Sequence, residues 1–189
     1  MNNIRYASIR NLDISNGEGV GVALFVQGCH FHCTNCFNPD TWDFSGGKEW
    51  TPEVEDKLIE LANRPYIKRL SILGGEPLAD ENLDGVLQLV NRFRLSFPNK
   101  SIWLYSGFRW EECQPFNEDG LLKPDKFAPN LQKILHKRYE VISMCNVMVD
   151  GRYIDSQRNP SKKWAGSDNQ RIIDIRKSLE QNKIVLHCD

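Results

Sequence analysis

The chain has 189 residues and a formal net charge of −1 at pH 7, so its length suits one domain and its charge gives no sign of a nucleic-acid partner. The longest clearly apolar stretch, residues 20–26, is far shorter than the roughly 20 residues of a membrane-spanning helix. Because no secretory signal is recognisable either, we expect a cytoplasmic protein that binds neither nucleic acid nor a membrane.

Short apolar runs alternate with amphipathic segments along the chain. The predicted strands span residues 20–26, 68–73, 101–105 and 141–149. Helices are predicted between them, from the N-cap Thr51 to about Asn63, through residues 83–93 up to Pro98, and over residues 131–137. Such alternation indicates parallel strands joined by crossover helices, in either an open sheet or a partial barrel.

The loop after the first predicted strand holds Cys29, Cys33 and Cys36 in a C-x3-C-x2-C pattern. No fourth cysteine stands nearby, and three thiolates on a four-iron cluster leave one iron open to a ligand. The alternatives are a zinc site completed by His30 or His32, a disulfide, or three unrelated thiols. Structural zinc sites usually draw their ligands from two separated pairs, and a reducing cytosol disfavours a disulfide.

Polar or glycine-bearing loops follow the other predicted strands as well. The second strand runs into Gly74, Gly75 and Glu76, the third into Ser106, and the fourth into Gly151. We expect these loops to converge, because the carboxyl ends of parallel strands meet at one edge. Paired glycines allow a backbone to approach a ligand closely, and Glu76 can meet a cationic group. A tight turn with a solvated glutamate is the alternative.

The cysteine pattern and the turn at residues 74–77 together resemble the radical S-adenosylmethionine superfamily. Further segments narrow the resemblance to the activating proteins of anaerobic (class III) ribonucleotide reductase, and it covers nearly the whole chain. These segments are residues 28–38, 40–42, 103–108, 148–153 and 166–171. The resemblance implies an α/β fold of the radical S-adenosylmethionine type, a single-domain partial (open) β/α barrel with parallel strands over residues 1–189.

The resemblance also implies a chemistry. One [4Fe-4S] cluster per chain is expected on Cys29, Cys33 and Cys36, which are then both metal ligands and catalytic residues, with S-adenosylmethionine chelating the fourth iron. Reductive cleavage of S-adenosylmethionine gives a 5′-deoxyadenosyl radical, which takes hydrogen from a glycine of the reductase catalytic subunit to form a glycyl radical. A flavodoxin-like low-potential protein is the expected electron donor. The chain would then be a radical oxidoreductase and a glycyl-radical activating enzyme.

Further site residues follow from the same resemblance. They are expected to bind the methionine amino group (Gly74, Gly75, Glu76), the adenine (Asn35 and Phe37, flanking Cys36) and the ribose or methionine (Ser106). A capping hydroxyl at a turn is the alternative for Ser106. Two segments, near 114–130 and 151–171, are predicted to be irregular, and the second is hypothesised to cover S-adenosylmethionine or to dock the reductase.

The remaining cysteines, Cys113, Cys145 and Cys188, form no second cluster motif and are predicted to be isolated thiols, with Cys145 inside the fourth strand. Two other functions stay open at this stage. One is a radical S-adenosylmethionine enzyme with a small-molecule substrate, such as a heterocycle synthase, and the other is a non-catalytic zinc module.

Overall fold

A computed structural model of the protein describes residues 4–116 and 130–188. The strands in this part of the chain are β1 (Arg5–Asp13), β2 (Gly21–Val26), β3 (Lys48–Glu49), β4 (Arg69–Gly74), β5 (Ser101–Ser106), β6 (Val147–Asp150) and β7 (Arg171–Asp174). The helices are α1 (Pro52–Ala62), α2 (Asp80–Ser96), α3 (Leu131–Ser143) and α4 (Ile175–Gln181). Short 3₁₀ helices lie at Pro39–Thr41, Trp110–Cys113 and Asp155–Gln157.

The strands form one mixed sheet in the order β3-β1-β2-β4-β5-β6-β7. The four central strands, β2, β4, β5 and β6, are parallel, whereas β1 and β3 on one side and β7 on the other run antiparallel to their neighbours. Within the described residues the end strands β3 and β7 are not neighbours, so the sheet is not closed. The α/β class is therefore confirmed, with antiparallel strands at both edges.

The two faces of the central strands bury different kinds of side chain. Leu70 and Ile72 of β4 belong to the main core, in which apolar side chains of α1, α2 and α3 pack against the sheet. Leu73 instead packs with Ala23 and Phe25 on the opposite face. The alternation follows from the two-residue period of a strand.

A buried ion pair stabilises that opposite face near the amino ends of the parallel strands. Arg69 is 0% exposed, and its Nη2 donates to Asp13 Oδ1 at 2.7 Å and to the Asp13 carbonyl oxygen at 3.0 Å. Its Nη1 donates to Ser71 Oγ, which in turn donates to the carbonyl oxygen of Asn16. Arg69 therefore fixes the loop that joins β1 to β2.

Several predicted elements are confirmed. The side chain of Thr51 caps α1 by accepting a hydrogen bond from the Val54 amide at 3.4 Å. The predicted apolar face of α2 is buried at Leu83, Val86, Val90 and Phe93, while Leu87 is only partly buried. The strands predicted at 20–26, 68–73 and 101–105 agree with β2, β4 and β5 within one residue at each end.

The predicted strand over residues 141–149 is wrong in its first half. Val141 and Ile142 complete the buried face of α3, and β6 begins only at Val147. Cys145 is therefore not in a strand but in the short connection, where it is buried. The apolar run at residues 141–149 belongs partly to the end of α3 and partly to β6. Hydrophobic periodicity alone does not separate the end of a helix from a strand in a run of this length.

No helix in the described part of the chain is long and apolar enough to cross a membrane.

Candidate functional site

A cavity of about 590 Å³ lies at the carboxyl edge of the parallel strands. Its size is typical of sites for small molecules and cofactors. The predicted site residues that line it are Cys29, Cys33, Cys36, Phe37, Gly74, Gly75, Glu76 and Ser106. Three separate loops thus deliver their side chains to one place, as the strand-end argument predicts.

The cysteine loop begins where β2 ends and is held by backbone hydrogen bonds. The amides of Gly28 and Cys29 donate to the carbonyl oxygens of Thr41 and Trp42 at 2.7 and 3.0 Å. Asn35 adopts a positive φ of 54°, a conformation that asparagine tolerates better than most residues. The loop therefore folds back on itself, and all three cysteines reach the cavity.

The three thiols are half-buried and free of disulfides. Burial raises the pKa of Cys29 to about 11. Burial also raises the pKa of Cys33, and the neighbouring Cys36 adds to the effect. Iron must therefore displace protons from these thiols, because only thiolates ligate it. The amide of Asn38 donates to Cys36 Sγ at 3.4 Å, the kind of hydrogen bond that tunes cluster potentials.

The turn at Gly74 and Gly75 is bonded directly to the start of the cysteine loop. The Gly75 amide donates to the Val26 carbonyl at 2.9 Å, and the Glu76 amide donates to the Gly28 carbonyl at 2.7 Å. A Cβ on Gly75 would overlap the Gly28 carbonyl oxygen. Glycine is therefore required here so that the two loops can approach each other.

We expect Gly75→Ala to displace the cysteine loop. Relieving the overlap with Gly28 should cost about 1 to 3 kcal/mol of unfolding free energy and reduce iron binding. Thermal unfolding and iron content after anaerobic reconstitution check both effects. Thr34→Ala is the matched control, since Thr34 is exposed in the same cysteine loop. Equal stability and iron content in the two variants would contradict this account of the turn.

Glu76 is 2% exposed and connects the ends of β4 and β5. Its carboxylate accepts hydrogen bonds from the amides of Leu78 and Gly107 at 2.8 and 2.7 Å, and from Ser106 Oγ at 2.8 Å. Glu76 is thus a buried and bonded carboxylate, not the solvated side chain of the alternative reading. Burial raises its pKa to about 7, although these hydrogen bonds and Arg138 act in the opposite direction.

The raised pKa predicts a pH-dependent stability. Between the ordinary glutamate value and pH 7 the folded state binds the Glu76 proton more tightly than the unfolded state. The stabilisation is therefore complete at low pH and is lost as pH rises through 7. Relative to Glu76→Gln, wild type should lose about 2.5 kcal/mol between pH 5 and 8, because each pKa unit is worth about 1.4 kcal/mol. Urea unfolding of cluster-free protein measures this difference, and parallel profiles would refute it.

Ser106 combines a turn role with a place in the cavity wall. Its Oγ accepts a hydrogen bond from the Phe108 amide at 3.1 Å while it donates to Glu76. The capping role considered for this residue is therefore present, and a contact with a ligand stays a prediction.

The two residues predicted to contact adenine differ in their surroundings. Phe37 lines the cavity, is 60% exposed, and packs edge-on against Tyr153 with ring centroids 5.1 Å apart. Asn35 is not among the cavity-lining residues, and its Nδ2 donates to Asp155 Oδ2 at 2.9 Å. In this structure the Asn35 side chain thus joins the cysteine loop to the loop after β6.

The segment 151–171 forms one wall of the cavity. Arg152 lies over the Phe31 ring at 4.4 Å, and Trp164 and Gln170 also line the cavity. Lys162 Nζ donates to the carbonyl oxygens of Asp168 and Gln170, each at 2.7 Å. Lys162 therefore holds the loop together. The other segment predicted to be irregular, near 114–130, lies largely outside the described residues.

The two histidines considered as zinc ligands have other contacts in the structure. His30 Nε2 lies 2.9 Å from Glu81 Oε1, and the His32 ring stacks on Trp42 with centroids 4.6 Å apart. Among residues 4–116 and 130–188, no three His, Cys, Asp or Glu side chains are placed to hold a single metal ion. A four-iron cluster has a different requirement, because each thiolate binds its own iron.

Sequence reasoning missed several residues of the cavity wall. They are Arg10, Ser15, Asn16, Trp42, Tyr105 and Trp164. Tyr105 could have been predicted from the sequence as a cavity residue, since it directly precedes Ser106 at the end of a predicted strand. Ser15 and Asn16 carried no such signal in the sequence, because their position depends on the hydrogen bonds around the buried Arg69.

The fold and the cavity define a class of protein: an α/β protein with a cysteine loop at the carboxyl edge of its sheet. A family model described as a 4Fe-4S single cluster domain matches residues 15–173. The matched region includes the three cysteines and every strand from β2 to β6.

Proteins of similar sequence identify the family within this class. The chain is 34% identical over 175 residues to the anaerobic ribonucleoside-triphosphate reductase-activating protein of Salmonella typhi, which covers 92% of this chain and 100% of that protein. It is 34% identical to the protein of the same name from Vibrio cholerae (89% and 97% covered) and 32% identical to that of Enterobacteria phage T4 (89% and 93%). The chain belongs to the family of anaerobic ribonucleoside-triphosphate reductase-activating proteins.

The residues present fit a four-iron cluster. Three half-buried cysteines line one cavity, and soft thiolates suit iron–sulfur chemistry. Cys113 and Cys145 are buried in the main core. Cys188 packs beside Trp103 in a separate apolar cluster.

Proposed function

We propose that this protein activates anaerobic ribonucleotide reductase by radical S-adenosylmethionine chemistry. One observation carries the proposal: Cys29, Cys33 and Cys36 line the same cavity as the turn from Gly74 to Glu76. The names of the related proteins supply the reductase as the partner. The proposal includes a single-domain partial barrel of the radical S-adenosylmethionine type over residues 1–189, and a cytoplasmic location.

In this proposal the cavity divides between a cluster and a cofactor. The three cysteines hold one [4Fe-4S] cluster, and the turn at Gly74 and Gly75 offers its backbone to the methionine part of S-adenosylmethionine. Phe37, which also lines the cavity, provides a ring against which the adenine can stack. Glu76 fixes the two loops through three hydrogen bonds, of which only the one from the Gly107 amide reaches Oε2. Its carboxylate therefore keeps acceptor capacity for the methionine amino group.

A cluster held by Cys29, Cys33 and Cys36 would supply one electron for cleavage of the sulfonium carbon–sulfur bond of S-adenosylmethionine. Cleavage would give methionine and a 5′-deoxyadenosyl radical, and hydrogen transfer from a glycine of the reductase would leave 5′-deoxyadenosine and a glycyl radical. A flavodoxin-like protein would be the source of the electron. The protein's own contribution is to hold the reactants close together and to exclude water from the radical.

The walls of the cavity suit this task. Its floor is made by apolar side chains such as Phe25 and Leu73, and the loop at 151–171 closes one side through Arg152 and Trp164. The substrate glycine lies on another protein, so the partner can cover the side that this chain leaves open.

Formation of 5′-deoxyadenosine tests the proposal. Anaerobically reconstituted and reduced protein should release methionine and 5′-deoxyadenosine in equal amounts from S-adenosylmethionine when the reductase is present. Omitting the reductant should abolish both products. Protein with a full iron and sulfide complement that forms neither product, with or without the reductase, would refute the proposed reaction.

A further inference from the structure

The carboxylate of Asp155 joins the cysteine loop to the segment 151–171. Asn35 Nδ2 donates to Asp155 Oδ2 at 2.9 Å, and the Tyr153 hydroxyl donates to Asp155 Oδ1 at 2.8 Å. One oxygen of this carboxylate therefore binds the cysteine loop, while the other binds a residue in the wall of the cavity. Hydrogen bonds to a charged acceptor are stronger than those between neutral groups, so a carboxylate suits a contact that two loops share.

The two loops also pack closely beside this carboxylate. The Phe37 ring of the cysteine loop lies edge-on against the Tyr153 ring, with centroids 5.1 Å apart. A Cβ at Gly166 would lie 2.8 Å from Phe37 Cε2 and 3.1 Å from Tyr153 Cδ2, so glycine is needed for this approach. All three residues line the main cavity, and separation of the two loops would therefore open its wall.

The hydrogen bonds of Cys36 itself are local. Its amide donates to the Cys33 carbonyl oxygen at 3.1 Å, and its Sγ accepts from the Asn38 amide at 3.4 Å. Neither bond leaves the cysteine loop. Asn35, which directly precedes Cys36, connects this part of the loop to a different segment of the chain through Asp155.

We propose that Asp155 is a positioning residue for the iron–sulfur site, which holds Cys36 and the Phe37 ring in place by binding Asn35 and Tyr153 together. This inference rests on the cluster that the proposed function assigns to the three cysteines. While both hydrogen bonds are made, the segment 151–171 stays against the cysteine loop and the cavity is closed on that side. When they break, the loops separate by local opening, and bound iron becomes accessible to small chelators.

A reciprocal exchange of the two side chains tests this role. Asn35→Asp alone sets two carboxylates against each other, and aspartate tolerates the positive φ of 54° at this position. We expect two rates to rise roughly tenfold: hydrogen exchange of the amides around Cys36 in cluster-free protein, and iron release to a chelator from reconstituted protein. Adding Asp155→Asn restores one amide and one carboxylate at the contact, and should return both rates close to those of wild type.

Asp168→Ala is the matched control. Asp168 Oδ1 accepts a hydrogen bond from Asn159 Nδ2 at 2.7 Å, a bond of the same kind that lies within the segment 151–171, so its loss should change neither rate. Unchanged rates in Asn35→Asp would overturn the proposal, and so would a double variant that stays as fast as Asn35→Asp. Hydrogen exchange is measured without a cluster, so failure of this proposal is separate from failure to form 5′-deoxyadenosine.

Discussion

Cys33→Ser is expected to abolish cluster binding and 5′-deoxyadenosine formation together while leaving the fold intact. Cys33 lines the cavity and is only half-buried, so exchanging sulfur for oxygen removes little packing. A serine hydroxyl does not replace a thiolate on iron, because iron–sulfur clusters are held by soft, deprotonated sulfur ligands. Iron and sulfide content measure the loss, and circular dichroism checks the fold.

Cys188→Ser is the matched control for this variant. Cys188 is also half-buried and packs in the apolar cluster around Trp103, not at the main cavity. The Cys188→Ser variant should keep about four irons per chain, the content of one four-iron cluster. Full iron binding by Cys33→Ser would remove Cys33 from the ligand set, and about eight irons in wild type would contradict a single cluster.

Arg69→Met should greatly lower the free energy of unfolding. Arg69 and Asp13 are buried together, at 0% and 2% exposure, and removing one partner of such a pair typically costs about 3 to 5 kcal/mol. Burial alone would raise the pKa of Asp13, but hydrogen bonds from Arg69 and Asn16 outweigh it and lower that pKa. Urea unfolding of cluster-free protein measures the loss.

Arg92→Met is the control for the cost of an ordinary ion pair. Arg92 bonds Glu55 and Asp56 on the surface, where such a pair is worth about 1 kcal/mol or less. The double variant Arg69→Met with Asp13→Leu should recover part of the lost stability, because no buried charge is left unpaired. Similar losses in Arg69→Met and Arg92→Met would show that burial does not set the cost.

The parts of the site that lie at strand ends were predictable from the sequence. Strand periodicity located β2, β4 and β5, and the rule that parallel strands share a carboxyl edge placed Cys29, Gly75 and Ser106 together. The cap at Thr51 and the glycine turn carried signals that do not depend on tertiary contacts. These local signals agree with the fold, and for that reason they were sufficient.

Other parts depend on contacts that no local pattern reveals. The edge strand β1 mixes exposed and half-buried residues, so its alternation is weak. β7 is only four residues long (Arg171–Asp174). Arg69 stands beside Lys68 in the sequence and resembles a surface residue, yet its charge is buried against Asp13, which lies far away in the chain.

The central claim is that the reductase is the substrate, and EPR spectroscopy of the reductase tests it most directly. Reconstituted protein, S-adenosylmethionine and a reductant are mixed anaerobically with the catalytic subunit of anaerobic ribonucleotide reductase. We expect a glycyl radical on the reductase that is absent without S-adenosylmethionine and with Cys33→Ser. Formation of 5′-deoxyadenosine with no radical on the reductase would contradict it and would point to a different substrate.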